Sequence, residues 1–123
     1  MIPSSIPRRG EIWWFDPDPV VGRELGRKVR PALIVSIDEI NQGPSEKIIV
    51  VPASSVSHEI PSHVRFDYVN RRTGRPVTTY FCCEDVRAAS VERLKGRMGP
   101  NLVPARIMAQ VEDWLLHLMG LRR

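Results

Sequence analysis

Helical periodicity occurs once in this chain, near its C-terminal end. Residues 104–118 place Ile107, Met108, Val111 and Leu115 on one stripe, which Leu118 and Met119 extend. Pro104 suits a first helical turn and Gly120 suits the stop. Everything before residue 104 breaks into short apolar runs punctuated by proline and glycine. Parallel strands need a long crossover between each pair, usually a helix. With no such helices available, the strands must pair antiparallel and curl up. The expected fold is mainly β with a C-terminal helix, in the form of a small barrel.

The runs themselves are short. Residues 11–16 (EIWWFD) are aromatic-rich and stop at Pro17-Asp18-Pro19, as a strand would. Residues 30–36 (RPALIVS) and 47–53 (KIIVVPA) are apolar and rich in β-branched residues, the mark of buried strands. Residues 63–68 alternate like a half-buried strand, and 77–83 (VTTYFCC) form another. Residues 95–99 are a weak closing strand. Residues 20–29, with two glycines and four charges, read as a mobile loop, and 38–43 as a helical turn or loop. Ser90 is placed to cap a single helical turn over 90–94. Trp13 and Trp14 are consecutive, so they point to opposite faces, although a barrel this small favours burying both.

At 123 residues, with 42% hydrophobic and 26% charged, the composition fits one globular domain spanning the chain, with 1–8 as a flexible N-terminal segment. No run approaches the roughly 18 apolar residues that cross a bilayer. No secretory signal precedes the first strand, so a cytoplasmic protein without membrane contact is expected. Cys82 and Cys83 are adjacent. They cannot staple a fold, and are expected in a strand with one side chain on each face. The formal net charge of +4 is compatible with a nucleic-acid partner without demanding one.

Phosphate-cradling glycine motifs, a nucleophile elbow, a zinc-type HExxH and paired CxxC are all absent from the sequence. His58, His63 and His117 are scattered and read as surface or packing residues. Catalysis here would have to proceed without metal, cofactor or a histidine pair. What remains is a set of polar residues at expected strand ends. Glu24, Arg27 and Lys28 lie in the loop. Arg30 is fixed by Pro31, Ser54 and Ser55 follow the strand 47–53, and Glu84 and Arg87 follow the strand 77–83. A solvated turn or a surface ion pair would explain each of them singly.

Taken in order, these segments resemble the MazF/PemK family of toxin endoribonucleases. Arg9-Gly10-Glu11-Ile12-Trp13 is similar to the family's RGEIW start, and residues 16–24 to its DLDPxxGxE segment. Residues 30–36 resemble RPALVVS, 51–55 VPxTS, and 84–87 EQVR with Asp85 in place of Gln. The resemblance implies an SH3-like barrel and a homodimer that binds single-stranded RNA in a groove at its interface. It also implies an antitoxin whose acidic C-terminal tail covers that groove. Catalytic positions fall on Arg30 and Ser54.

RNA can be cut by its own 2′-OH, which attacks the adjacent phosphorus and expels the 5′ oxygen. Such a site must remove one proton, spread charge over the phosphate oxygens and protonate the leaving oxygen. A guanidinium grips two phosphate oxygens at once but rarely gives up its proton. Arg30 is therefore expected to stabilise charge and serve as acid, Ser54 to add a donor, and Glu24 to take the 2′-OH proton. Arg27, Lys28, Ser55, Glu84 and Arg87 are expected to contact RNA, with Arg71, Arg72 and Arg75 extending the basic track. The competing expectation is a non-enzymatic toxin on the same barrel, like the gyrase-directed toxin CcdB, which would have no use for Arg30, Ser54 and Glu24 together.

Overall fold

The computed structural model describes residues 6–17, 29–99 and 102–121. Glu24, Arg27 and Lys28, with most of the expected loop 20–29, lie outside the described residues. Among the described residues there are seven strands: β1 (Ile12–Phe15), β2 (Arg30–Ile34), β3 (Lys47–Ser54), β4 (His63–Val69), β5 (Pro76–Cys82), β6 (Arg87–Ser90) and β7 (Leu94–Arg97). A single helical turn α1 (Asp38–Asn41) follows β2, and the helix α2 (Ala105–Leu118) closes the order. Short 3-10 turns occupy Cys83–Asp85 and Val91–Arg93. In the second of these, the Ser90 hydroxyl accepts from the Glu92 amide at 3.2 Å, the cap expected from sequence.

All pairings are antiparallel, in the order β4-β5-β3-β2-β1-β7, with β6 also on β3. The result is a half-barrel sheet with a C-terminal helix. β3 meets β2 over Val50–Pro52, β6 over Lys47–Val50 and β5 over Ala53–Ser54. Ile49 turns its backbone toward β2's side, accepting from the Val35 amide at 3.0 Å and donating to the Ser36 hydroxyl at 2.9 Å. By alternation Pro52 faces the other edge, in the gap between the end of β5 and the start of β6. A proline can sit in a central strand there because no partner needs its missing N–H.

Both faces of the sheet are covered. One face packs Ile12, Leu33, Val51, Ala53, Val64, Phe81 and Cys83 under α2, which contributes Ile107 and Val111. The other gathers Trp13, Phe15, Ala32, Ile34, Ile48, Val50 and Ala89. The alternate residues of β2 and β3 thus bury in different clusters, so their sequence shows unbroken apolar runs. Met108 and Leu115 pack partly against the first cluster, but Leu118 and Met119 run past the sheet and are exposed.

Two sequence expectations need correction. Trp13 is 4% exposed, but Trp14 is 39% exposed, lying opposite Pro31 and Gly96 on the α2-side face beyond the helix's cover. The cysteines are both fully buried, and Cys83 belongs to the 3-10 turn, not the strand. The turn carries Cys83 into the core under α2.

The Arg9-Gly10-Glu11 segment is a structural clamp. The Arg9 amide bonds the Asp38 carboxylate at 2.9 Å, and its guanidinium reaches the Val35 carbonyl and Glu112 of α2. Gly10 takes φ +91, and its amide and carbonyl bond Ile34 and Val103, each at 2.8 Å. A side chain at that φ would be strained, so the motif needs glycine. Glu11 is buried and accepts from the Arg8 amide at 2.8 Å, the Trp13 indole at 3.0 Å and Arg97 at 2.8 Å.

Among the described residues, no helix is long and apolar enough to cross a membrane. Burial pushes the Glu11 carboxyl up, but the bonds from Arg97, Trp13 and Arg8 outweigh it and hold it below its ordinary 4.5. A depressed carboxyl stabilises the fold above its unfolded value and loses that contribution as pH falls through the folded one. Glu11→Gln should therefore be less stable at pH 7. It should also lose less stability than wild type when urea unfolding is repeated below pH 4.5.

Candidate active site

Residues directly opposed in an antiparallel pair point to the same face of the sheet. Phe15 opposes Arg30, Ser54 opposes Tyr80, and Tyr80 in turn opposes Arg65. The β2–β3 register, Ala32 to Pro52, carried two residues further along both strands sets Arg30 level with Ser54. One row thus crosses five strands: Phe15, Arg30, Ser54, Tyr80, Arg65. It lies on the face turned away from α2, since the alternate residues Leu33, Ala53, Phe81 and Val64 pack beneath the helix.

Arg30 is half-buried at the first position of β2, its backbone fixed by Pro31. Its Nε is enclosed and finds no hydrogen-bond partner among the described residues. A buried N–H left this way costs about 1–3 kcal/mol, a cost an acceptor such as a phosphate oxygen would relieve. The Arg30 charge is felt at Cys82 on β5, where it favours the thiolate against burial. Arg87 of β6 stands on the same face, opposite Val50, with its guanidinium carbon 5.5 Å from the centroid of Phe15. The Arg87 guanidinium thus lies over the ring of Phe15, the residue that Arg30 opposes across β1 and β2.

Ser54 ends β3 because its side chain starts a turn. Its hydroxyl accepts from the Val56 amide at 3.1 Å and donates to the Val56 carbonyl at 3.3 Å. The accepting bond fixes the oxygen. The long donating bond leaves a proton that can turn to a better acceptor. Ser55 is exposed in the following turn.

Glu84 is engaged elsewhere. The Ser62 hydroxyl donates to it at 2.6 Å, and His63 Nε2 lies 2.6 Å from its other oxygen. Burial raises the Glu84 carboxyl, but these two bonds prevail and hold it below the usual range. His63, which the sequence marks only as a surface or packing residue, has a side chain just 5% exposed and an edge-on ring contact with His58. It stands opposite Cys82, on the same face as Tyr80. Arg71, Arg72 and Arg75 are exposed at the β4–β5 turn, the nearest, Arg75, about 17 Å along the hairpin from Tyr80 at ~3.3 Å per residue.

Tyr80 and Arg65 are absent from the sequence-based candidates. Alternation in VTTYFCC and HVRFDY already puts Tyr80 with Cys82, and Arg65 with His63. What sequence could not supply is that β5 pairs with β3 beside Ser54.

A family model of PemK-like, MazF-like toxins of type II toxin–antitoxin systems matches residues 8–119. The chain belongs to that family. Endoribonuclease MazF9 of Mycobacterium tuberculosis (strain ATCC 25618 / H37Rv) is 36% identical over 117 residues, covering 90% of this chain and 95% of the relative. The crystal structure of MazF from Deinococcus radiodurans superposes with a TM-score of 0.79 at 24% identity, covering 94% of this chain and 98% of that one. An endoribonuclease in complex with its cognate antitoxin from Mycobacterial species superposes at 0.69 with 20% identity, covering 96% and 97%. These structural likenesses are of fold, and the half-barrel of this PemK-like chain is theirs.

Burial, with the nearby Glu84, pushes Cys82 and Cys83 each up to about 12, the neighbouring Asp85 and Cys83 adding to the rise at Cys82. Because the thiolate is the reactive form, neither should alkylate readily in the native protein. Iodoacetamide at pH 8 should leave the native mass unchanged over minutes and add two labels once urea unfolds the chain.

Proposed function

We propose that this chain is a toxin endoribonuclease that cuts single-stranded RNA, messenger RNA included, at a specific sequence and without a metal. The scissile phosphate sits against Arg30 and Ser54. The observation that carries the reading is the pair itself: an enclosed guanidinium with an unpartnered Nε, level with a hydroxyl whose donor is weakly held.

The substrate's 2′-OH attacks the adjacent phosphorus. Negative charge grows on the non-bridging oxygens, where Arg30 and Ser54 donate hydrogen bonds. The 5′ oxygen leaves with a proton from Arg30, and Glu24 takes the proton of the 2′-OH directly or through water. The products are a 2′,3′-cyclic phosphate and a free 5′-OH. DNA is spared because it lacks the nucleophile. Arg27, Lys28, Ser55, Glu84 and Arg87 contact the RNA outside the cut.

The protein works as a homodimer in the cytoplasm, and cleavage stops translation and growth. An antitoxin with an acidic C-terminal tail neutralises it by lying in the same basic groove. An endoribonuclease of the same fold from Mycobacterial species was solved in complex with its cognate antitoxin, which supports an antitoxin partner here.

Incubating the protein with a mixed long RNA and sequencing the new 5′ ends tests the reading and yields the cleavage motif. Specific cuts with 5′-OH ends are expected, undiminished by chelator, and a single deoxyribose at the cut should abolish them. Arg30→Ala should lose cleavage by at least a hundred-fold while remaining folded, with an unfolding midpoint no lower than wild type. Near-normal cutting by that variant would remove Arg30 from the mechanism. Glu24→Gln should lose the acidic limb of the pH–rate profile; an unchanged limb assigns the base to another group.

A further inference from the structure

The row across the sheet continues past Arg30 and Ser54, and the role inferred for its next member rests on the RNA-cleaving function proposed for that pair. Tyr80 is the next residue beyond Ser54. Directly opposed residues have Cβ atoms about 5 Å apart, so the ring starts within one strand spacing of the Ser54 hydroxyl. The phenol is half-buried, not sealed in the core. Its neighbours along the same face of β5 are Thr78 and Cys82, both small, so nothing on its own strand covers the ring.

On the far side stands Arg65, directly opposite Tyr80. Its guanidinium is paired on the exposed surface. Arg65 Nε donates to both Asp67 carboxylate oxygens, at 3.1 and 3.2 Å, and the Thr78 hydroxyl donates to Asp67 at 2.6 Å. The ring is thus bordered by the Ser54 hydroxyl on one side and by the exposed, Asp67-paired guanidinium of Arg65 on the other. Single-stranded RNA is read by splaying its bases onto such aromatic faces.

We propose that Tyr80 is the stacking platform for the base next to the scissile phosphate, and hence a specificity-determining residue of this groove. The contact is made by the ring face, so the hydroxyl is dispensable. Arg65 bounds the position on its outer side and limits the size of base that fits there.

The test uses the full chain and a short RNA carrying the mapped cleavage site, with deoxyribose at the cut so that it binds without reacting. 2-Aminopurine, whose fluorescence is quenched by stacking, replaces each base flanking the cut in turn. Wild type should quench it at one flanking position. Tyr80→Phe should keep that quench and a Kd within about two-fold. Tyr80→Leu should lose the quench and bind about ten-fold more weakly.

Should Tyr80→Leu fail to fold, Tyr80→Thr, β-branched and suited to a strand, carries the same comparison. Quench and Kd unchanged in the ring-less variant would overturn the stack. So would an equal loss in Tyr80→Phe, which would assign the effect to the hydroxyl. A wild type that cuts no RNA would overturn the endoribonuclease reading itself. Cutting with Tyr80→Leu indistinguishable from wild type would overturn the stack alone.

Discussion

The double burial of β3 is the constraint on which the rest of the structure depends. Of its eight residues only Lys47 and Ile49 are exposed. Among the described residues it is the one strand that hydrogen-bonds to three others, β2, β6 and β5. Its odd residues, Val51 and Ala53, pack under α2, while Ile48 and Val50 pack into the second cluster. No position along its middle can be polar without leaving a buried group unpaired. Pro52 marks the change of partner, at the one place where the ladder has no use for an N–H.

The candidate site lies where that constraint ends. Past Ala53 the second cluster stops, and the same face turns polar through Ser54, Tyr80 and Arg65. Arg30 occupies the matching position on β2, one rung beyond the last buried pair. Rigid strands therefore hold the functional groups, and only the strands' last residues are free to be polar. An enclosed Nε without a partner detracts from the folded chain's stability, and a bound phosphate would recover the loss. The Arg9 and Glu11 network serves a different end. It ties the start of β1 to α1 and α2, and its charges are all used in doing so.

Much of the element order was legible. β2, β4, β5 and α2 begin or end within two residues of the runs read from sequence, because proline, glycine and the change in period mark them. β6 was not legible. Arg87–Ser90 is four residues long and offers only Ala89 to the core, too weak a signal to separate from the turn before it. The exposure of Trp14 was also hidden, because it depends on where α2 stops covering the sheet. The same holds for Leu118 and Met119, which complete the helical stripe but have no sheet beneath them.

Arg30 and Ser54 could be named from sequence, since each sits at the end of an apolar run with polar chain beyond it. Tyr80 could not, although its face was already fixed by its position in VTTYFCC. Alternation is a local property with a period of two, and a single strand contains all of it. Which strand lies alongside depends on burying two faces at once and on closing a curved sheet. The pairing of β3 with β5 joins residues more than twenty-five positions apart. The sequence by itself thus determined the strands, their faces and the identity of the reactive groups. Only the tertiary structure decided which groups became neighbours, because that choice belongs to the packing of the whole sheet and to no segment of it.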